Sequence, residues 1–111
     1  MSKPTIVAII GSTRFKDFHN GAAQRETLAG KIVLGAGFFH HHDRVPISAA
    51  TKERLDQLAE AKVEMADEVF VVNVNGYVGE TTVRLIKHAD KHNKPIRYME
   101  EVESGTPALV D

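Results

Sequence analysis

Two short runs of this 111-residue chain hold more chemistry than a turn requires. Gly11-Ser12-Thr13-Arg14 places a glycine, two hydroxyls and a guanidinium directly after an apolar run. Free backbone N–H groups at such a strand-to-helix loop, with a planar cation beside them, suit a phosphate or a carboxylate. The same residues also fit a polar turn in which Ser12 or Thr13 caps the next helix. The run lacks the Gly-Lys-Ser/Thr ending of a Walker A loop and the glycine spacing of a dinucleotide fingerprint. The second run, Asn73 to Thr82, joins an apolar stretch to a helical pattern and contains Asn75, Gly76, Tyr77, Gly79, Glu80 and Thr81. Asn75 suits a hydrogen bond to a sugar or base edge, Tyr77 suits stacking on a ring, and Thr81 and Thr82 suit either a ligand or a helix cap. The plain alternative is a turn that sets Glu80 or Thr81 at a helix N-terminus, where an acidic residue is favourable.

Three further features carry less. His40-His41-His42-Asp43 has metal-ligating residue types, but consecutive residues rarely converge on one ion, so no metal site and no cofactor are expected from it. Its expected role is to place His40, near the end of a strand, on a ligand crevice while the other imidazoles face water. Lys62 interrupts an apolar helical stripe, which suits an ammonium that snorkels to the rim. Glu64 reads as a solvated face residue.

These residues need a scaffold, and the hydrophobic pattern supplies one. Ile6 to Ile10 is a β-branched apolar run of the kind found in buried parallel strands. A helix-compatible segment follows from Lys16 to Ala29, with Gly30 at its end, and then a second short strand from Lys31 to Gly35. Ala36 to Asp43 shows no helical period and reads as a loop. Pro46, Ser48 and Thr51 introduce a long helix through Asp67, with Leu55, Leu58, Ala59, Lys62, Met65 and Ala66 on its expected inner stripe. Glu68 to Val74 is a third strand, about Glu80 to His92 a third helix, and Ile96 to Tyr98 a last short strand after Pro95. The chain from 101 to 111 reads as a loosely attached tail on a domain spanning residues 1 to 100. Strand-helix alternation implies right-handed crossovers and an α/β three-layer sandwich, with a parallel sheet of about four strands in the order 2-1-3-4. Such a sheet opens a crevice where the loops after strands 1 and 3 diverge, and the two chemical runs flank it.

Composition excludes several classes. One core suffices for this length, since a domain of this size buries roughly two thirds of its unfolded surface. With 14 basic and 15 acidic residues the formal charge is −1, which argues against duplex nucleic acid or an anionic membrane as partner. The absence of cysteine removes disulfides and thiolate zinc sites and points to a reducing, cytoplasmic setting. The apolar run at Ile6 to Ile10 is too short to span a bilayer and is not followed by a cleavage site.

Taken together, Gly11 to Phe15, Leu28 to Leu34, Gly37 to His40, Leu55 to Leu58, Ala66 to Val69 and above all Asn73 to Thr82 resemble the small phage and bacterial proteins described as nucleoside 2-deoxyribosyltransferase-like, which are related to nucleotide N-glycosidases. The resemblance covers nearly the whole chain to Glu100. It implies a flavodoxin-like, Rossmann-like sheet, a homodimer, and a nucleotide or nucleoside ligand whose N-glycosidic bond is cleaved by a carboxylate nucleophile. On that pattern Gly11, Ser12, Thr13 and Arg14 hold phosphate, and Asn75, Gly76, Tyr77, Gly79 and Thr81 meet sugar or base. The position matching the nucleophile, four residues before Ala89, is Leu85 here, which leaves Glu80 as the nearby carboxylate. Asp56 stands nearest to the family's acid, at a different spacing, and Asp67 reads as structural. A non-enzymatic protein that sequesters a nucleotide-derived signal or metabolite is the alternative that Leu85 favours.

Overall fold

The computed structural model describes residues 3–101, and the expected tail lies almost wholly outside them. β1 (Ile6–Gly11), α1 (Lys16–Leu28), β2 (Ile32–Leu34), α2 (His40–Asp43), α3 (Ala49–Met65), β3 (Glu68–Val72), α4 (Glu80–Lys91) and β4 (Ile96–Tyr98) follow one another, with a single 3₁₀ turn at Val74–Gly76. The four strands form one sheet in the order β2-β1-β3-β4, as the alternation predicts. Every pairing is parallel, with Ile6 opposite Ile32, Val7 opposite Glu68 and Val69 opposite Ile96.

Strand periodicity divides the core in two. Val7, Ile9, Phe70 and Val72 point to one face and pack with Ala22 of α1. Ala8, Ile10, Val69 and Val71 point to the other and meet Val63 and Ala66 of the α3 end together with Leu85 and Ala89 of α4. Side chains that alternate every residue while both faces are covered explain why β1 and β3 are apolar throughout. Among the described residues, no helix is long and apolar enough to cross a membrane.

Some boundaries and faces differ from the sequence reading. The stretch read as a loop contains the one-turn helix α2, closed by Arg44 in the left-handed region at φ 56°. α3 begins after Ser48, whose hydroxyl accepts the Thr51 N–H, but ends at Met65, short of Asp67. Its inner face is also rotated: Leu58 is 51 % and Met65 66 % exposed, while Val63, absent from the expected stripe, is fully buried. The small residues Ala59 and Ala66 flank Val63 and let the helix lie close to the sheet, which turns the bulkier Leu58 and Met65 outward. Asp67 is structural: its carboxylate accepts the Ile6 N–H at 2.8 Å, and its own N–H donates to the Ile6 carbonyl.

Candidate functional site

A cavity of about 260 Å³ opens at the carboxyl ends of β1 and β3, between the Gly11–Arg14 loop, the residues around α2, one side of α3 from Lys52 to Lys62 and the first half of α4. This is the crevice that the strand order creates, and its volume is close to the lower bound of small-molecule sites, roughly 300 Å³. Gly11, Ser12, Thr13, Arg14, His40, Tyr77, Gly79, Glu80 and Thr81 all line it. The wall also contains Leu85, 6 % exposed and part of the core, so an apolar side chain occupies the place where the resemblance implies a nucleophile.

Asn75 and Gly76 are not brought to the wall. Both have positive φ, 53° and 79°, and the resulting turn carries them toward the chain beyond β4. There the Asn75 N–H donates to a Glu100 carboxylate oxygen at 2.6 Å. The buried Asn73 amide holds the Glu100 backbone at both ends, donating to its carbonyl at 3.0 Å and accepting its N–H at 2.8 Å. The Asn73 side chain and the Asn75 backbone N–H thus anchor the segment after β4.

The first loop is built by a close approach. Gly11 adopts φ +145° against β3, and Ser12 turns its carbonyl to the buried His19 of α1, whose Nε2 lies 3.2 Å away. A carbonyl only accepts, so Nε2–H is the donor. Burial holds the His19 imidazole below its ordinary pKa, although the carbonyls of Ser12 and Gly11 oppose this, and the ring stays neutral. Beyond this pivot, Thr13 Oγ1 meets Nδ1 of His41 at 3.0 Å. The Arg14 guanidinium lies 4.7 Å from the centre of the Tyr77 ring, an aromatic–cation contact that also covers one face of the tyrosine. Tyr77 packs edge-on to Phe15 and passes over Gly79, where an added Cβ would meet its hydroxyl at 3.3 Å.

α3 supplies groups that local spacing did not single out for the site. Lys52 and Asp56 pair at 3.0 Å, and Lys52 also donates to Thr81 Oγ1 at 3.2 Å, joining α3 to the first turn of α4. Arg84 approaches Asp56 from outside at 3.6 Å. Lys62 does not stop at the rim. Its ammonium donates to the carbonyls of Gly35 at 2.7 Å and Ala36 at 3.4 Å, fixing the segment that leads to α2.

The histidines divide. His40 and His41 face the cavity with their rings 4.4 Å apart, and His42 turns away to Asp43 at 2.9 Å. His40 Nδ1, like His19 Nδ1, is buried without a hydrogen-bond partner among the described residues. Burial lowers the pKa of His41, and the neighbouring charges of His40, Arg14 and Lys52 lower it further. Arg14, Lys52 and Lys62 thus surround a cavity in which Asp56 and Glu80 are the carboxylates. The local field favours an anion, and backbone N–H groups, hydroxyls and imidazoles stand ready to receive its oxygens.

No protein-family model matches this sequence, and a search among curated proteins finds no relative of it.

Proposed function

We propose that the chain binds a nucleotide or nucleoside in this crevice, with the phosphate at Gly11–Arg14 and the sugar and base between Tyr77, Gly79 and Thr81 on one side and His40, His41 and Leu55 on the other. The observation that carries the reading is the set of cations and donors on the wall of a switch-point cavity: Arg14, Lys52 and the two imidazoles converge there, facing the carboxylates of Glu80 and of Asp56, the latter already paired with Lys52. An apolar floor of Ile9, Ile10 and Leu85 suits a ring system better than a small inorganic anion. Leu85 also favours retention of the ligand over turnover. Binding groups work without a nucleophile, whereas catalysis does not.

A second reading, hydrolysis of the N-glycosidic bond, draws its support from the carboxylates of Asp56 and Glu80 on the wall. One of them would form a bond to the anomeric carbon while the C–N electron pair leaves with the base, which takes up a proton; water would then release the sugar. In either case the exposed Met65, beside Leu58 at the cavity edge, makes α3 the proposed contact between two copies of the chain, a point that sedimentation velocity checks.

The test is calorimetric titration with nucleoside 5′-monophosphates and the matching nucleosides, followed by analysis for free base. Arg14→Ala should weaken monophosphate binding about ten-fold or more, the loss of one charged hydrogen bond, and leave nucleoside binding nearly unchanged. Equal affinities of both proteins for the monophosphate would refute the phosphate assignment. Free base released in proportion to protein would establish the second reading, and intact retained ligand the first.

A further inference from the structure

The opposite end of α4 holds a cluster that the crevice does not use. His88 and His92 are separated by one helical turn, with ring centroids 4.4 Å apart, and Glu64 reaches them from the last turn of α3. Glu64 Oε2 lies 2.7 Å from His88 Nε2. One potential ligand atom from each of the three side chains falls within 4.8 Å of the others. His88 stands three residues beyond Leu85, the last α4 residue on the cavity wall, and neither His88 nor His92 lines the cavity.

From this geometry we infer that Glu64, His88 and His92 form a surface site for one divalent late transition-metal ion, of which Zn²⁺ and Cu²⁺ best fit two imidazoles and a carboxylate. Two histidines at i and i+4 present their rings on one face of a helix, and a third ligand from a neighbouring helix completes a facial set. The remaining position is open to water. A tetrahedral ion with bonds of about 2.0–2.1 Å keeps its ligand atoms about 3.3 Å apart. Binding would close the present separations to that spacing by rotation of the side chains, of which Glu64 and His92 are exposed and His88 half-buried.

The orientation of His92 is a second observation in favour. Its Nδ1 lies 2.9 Å from the His88 carbonyl, which can only accept, so Nδ1 carries a proton and Nε2 is the nitrogen left to face a metal ion. A ligating histidine characteristically has its other ring nitrogen tied to a carbonyl or carboxylate in this way. The Glu64 carboxylate is exposed and already in hydrogen-bond contact with His88, so it is placed to serve as the third ligand. Metal binding at this place would tie the ends of α3 and α4 together.

The experiment is competition for Zn²⁺ between untagged, full-length protein and a chromophoric chelator, repeated with Cu²⁺. Wild type should take up one ion per chain, with Cu²⁺ held more tightly than Zn²⁺. His92→Gln and Glu64→Gln should each weaken uptake about ten-fold or more, and each should retain the wild-type circular dichroism, because both positions are exposed. Zn²⁺ should also raise the melting temperature of wild type but not of His88→Ala/His92→Ala. His42→Asn, outside the cluster, should bind as wild type does. Loss of uptake in His42→Asn with retention in the double variant would move the ion to His40–Asp43 and overturn the assignment. So would the absence of uptake at about 100 µM metal, which would leave Glu64–His88 as an ion pair only.

Discussion

Gly11→Ala is the substitution for which the structure yields the most specific expectation. Gly11 closes β1 in a backbone conformation, φ +145°, that side chains rarely adopt. A Cβ there would stand 2.7 Å from the Val72 carbonyl oxygen, 3.0 Å from the Val72 Cβ and 3.3 Å from His19 Nε2. The nearest of these atoms belongs to the backbone of a central buried strand and cannot swing aside. Backbone strain of this type costs about 1–3 kcal/mol, and forcing apart packed core atoms adds about 1–3 kcal/mol. Taking about 3 kcal/mol in all, the melting temperature should fall by roughly 12–24 °C. Two glycines serve as controls. Gly76 has φ +79° but nothing within 4 Å of an added Cβ, so only the conformational cost remains, about 1 kcal/mol. Gly35 has open space and no positive φ, and its alanine variant should stay within about 0.5 kcal/mol of wild type. Urea unfolding followed by far-ultraviolet circular dichroism, with thermal melts in parallel, should rank the three losses Gly11, then Gly76, then Gly35. A Gly11→Ala protein as stable as Gly35→Ala would refute the close approach of β1 to β3 on which the loop geometry rests.

Acid should destabilise the fold in two windows. Burial lowers the pKa of His19, so the unfolded chain takes up a proton there before the folded one does, and stability is lost as pH falls below about 6.5. For Glu26 burial raises the pKa, but Arg97 and Lys31 together outweigh it; for Glu68 the Lys31 hydrogen bond, then Arg97, lowers it against burial. The stability these carboxylates contribute is present above their unfolded value, about 4.3, and is lost as pH falls through their lower folded values. In Arg97→Gln that lower limb should flatten and the unfolding free energy at pH 7 should fall by about 2 kcal/mol; an unchanged acid profile in urea titrations would count against the network. Lys62→Met should leave the carbonyls of Gly35 and Ala36 without their donor, cost about 1.5 kcal/mol and accelerate amide exchange between Phe38 and His41. Unaltered exchange there would show that the ammonium does not hold this segment.

Strand identity and order were legible in the sequence because burial on both faces leaves an uninterrupted apolar record in β1 and β3. The crevice loops were legible because residues adjacent in sequence form each one. What the sequence hid depends on contacts between distant elements. Leu58 and Met65 share the helical spacing of core residues, and only the close seating of Ala59, Val63 and Ala66 turns them outward. Lys52 and Asp56 reach the cavity because α3 lies alongside α4, a placement no local pattern encodes, although their i, i+4 spacing signals that they pair. Asn75 has the chemistry of a ligand residue, but a left-handed backbone and the Glu100 carboxylate direct it elsewhere. Glu64, His88 and His92 meet only once two helix ends are side by side, and the sequence reading did not single out the His88–His92 pair.

The sheet's short outer strands have a consequence for how this chain avoids its own copies. β2 and β4 are each three residues long, against six for β1 and five for β3, so each lateral border offers few unpaired N–H and C=O groups to a foreign strand. Lys31 precedes one border, and Lys94 and Pro95 precede the other, adding charge and a residue without an N–H at the points where strand addition would begin. Ribbon-like growth into fibrils by strand addition is therefore disfavoured by construction.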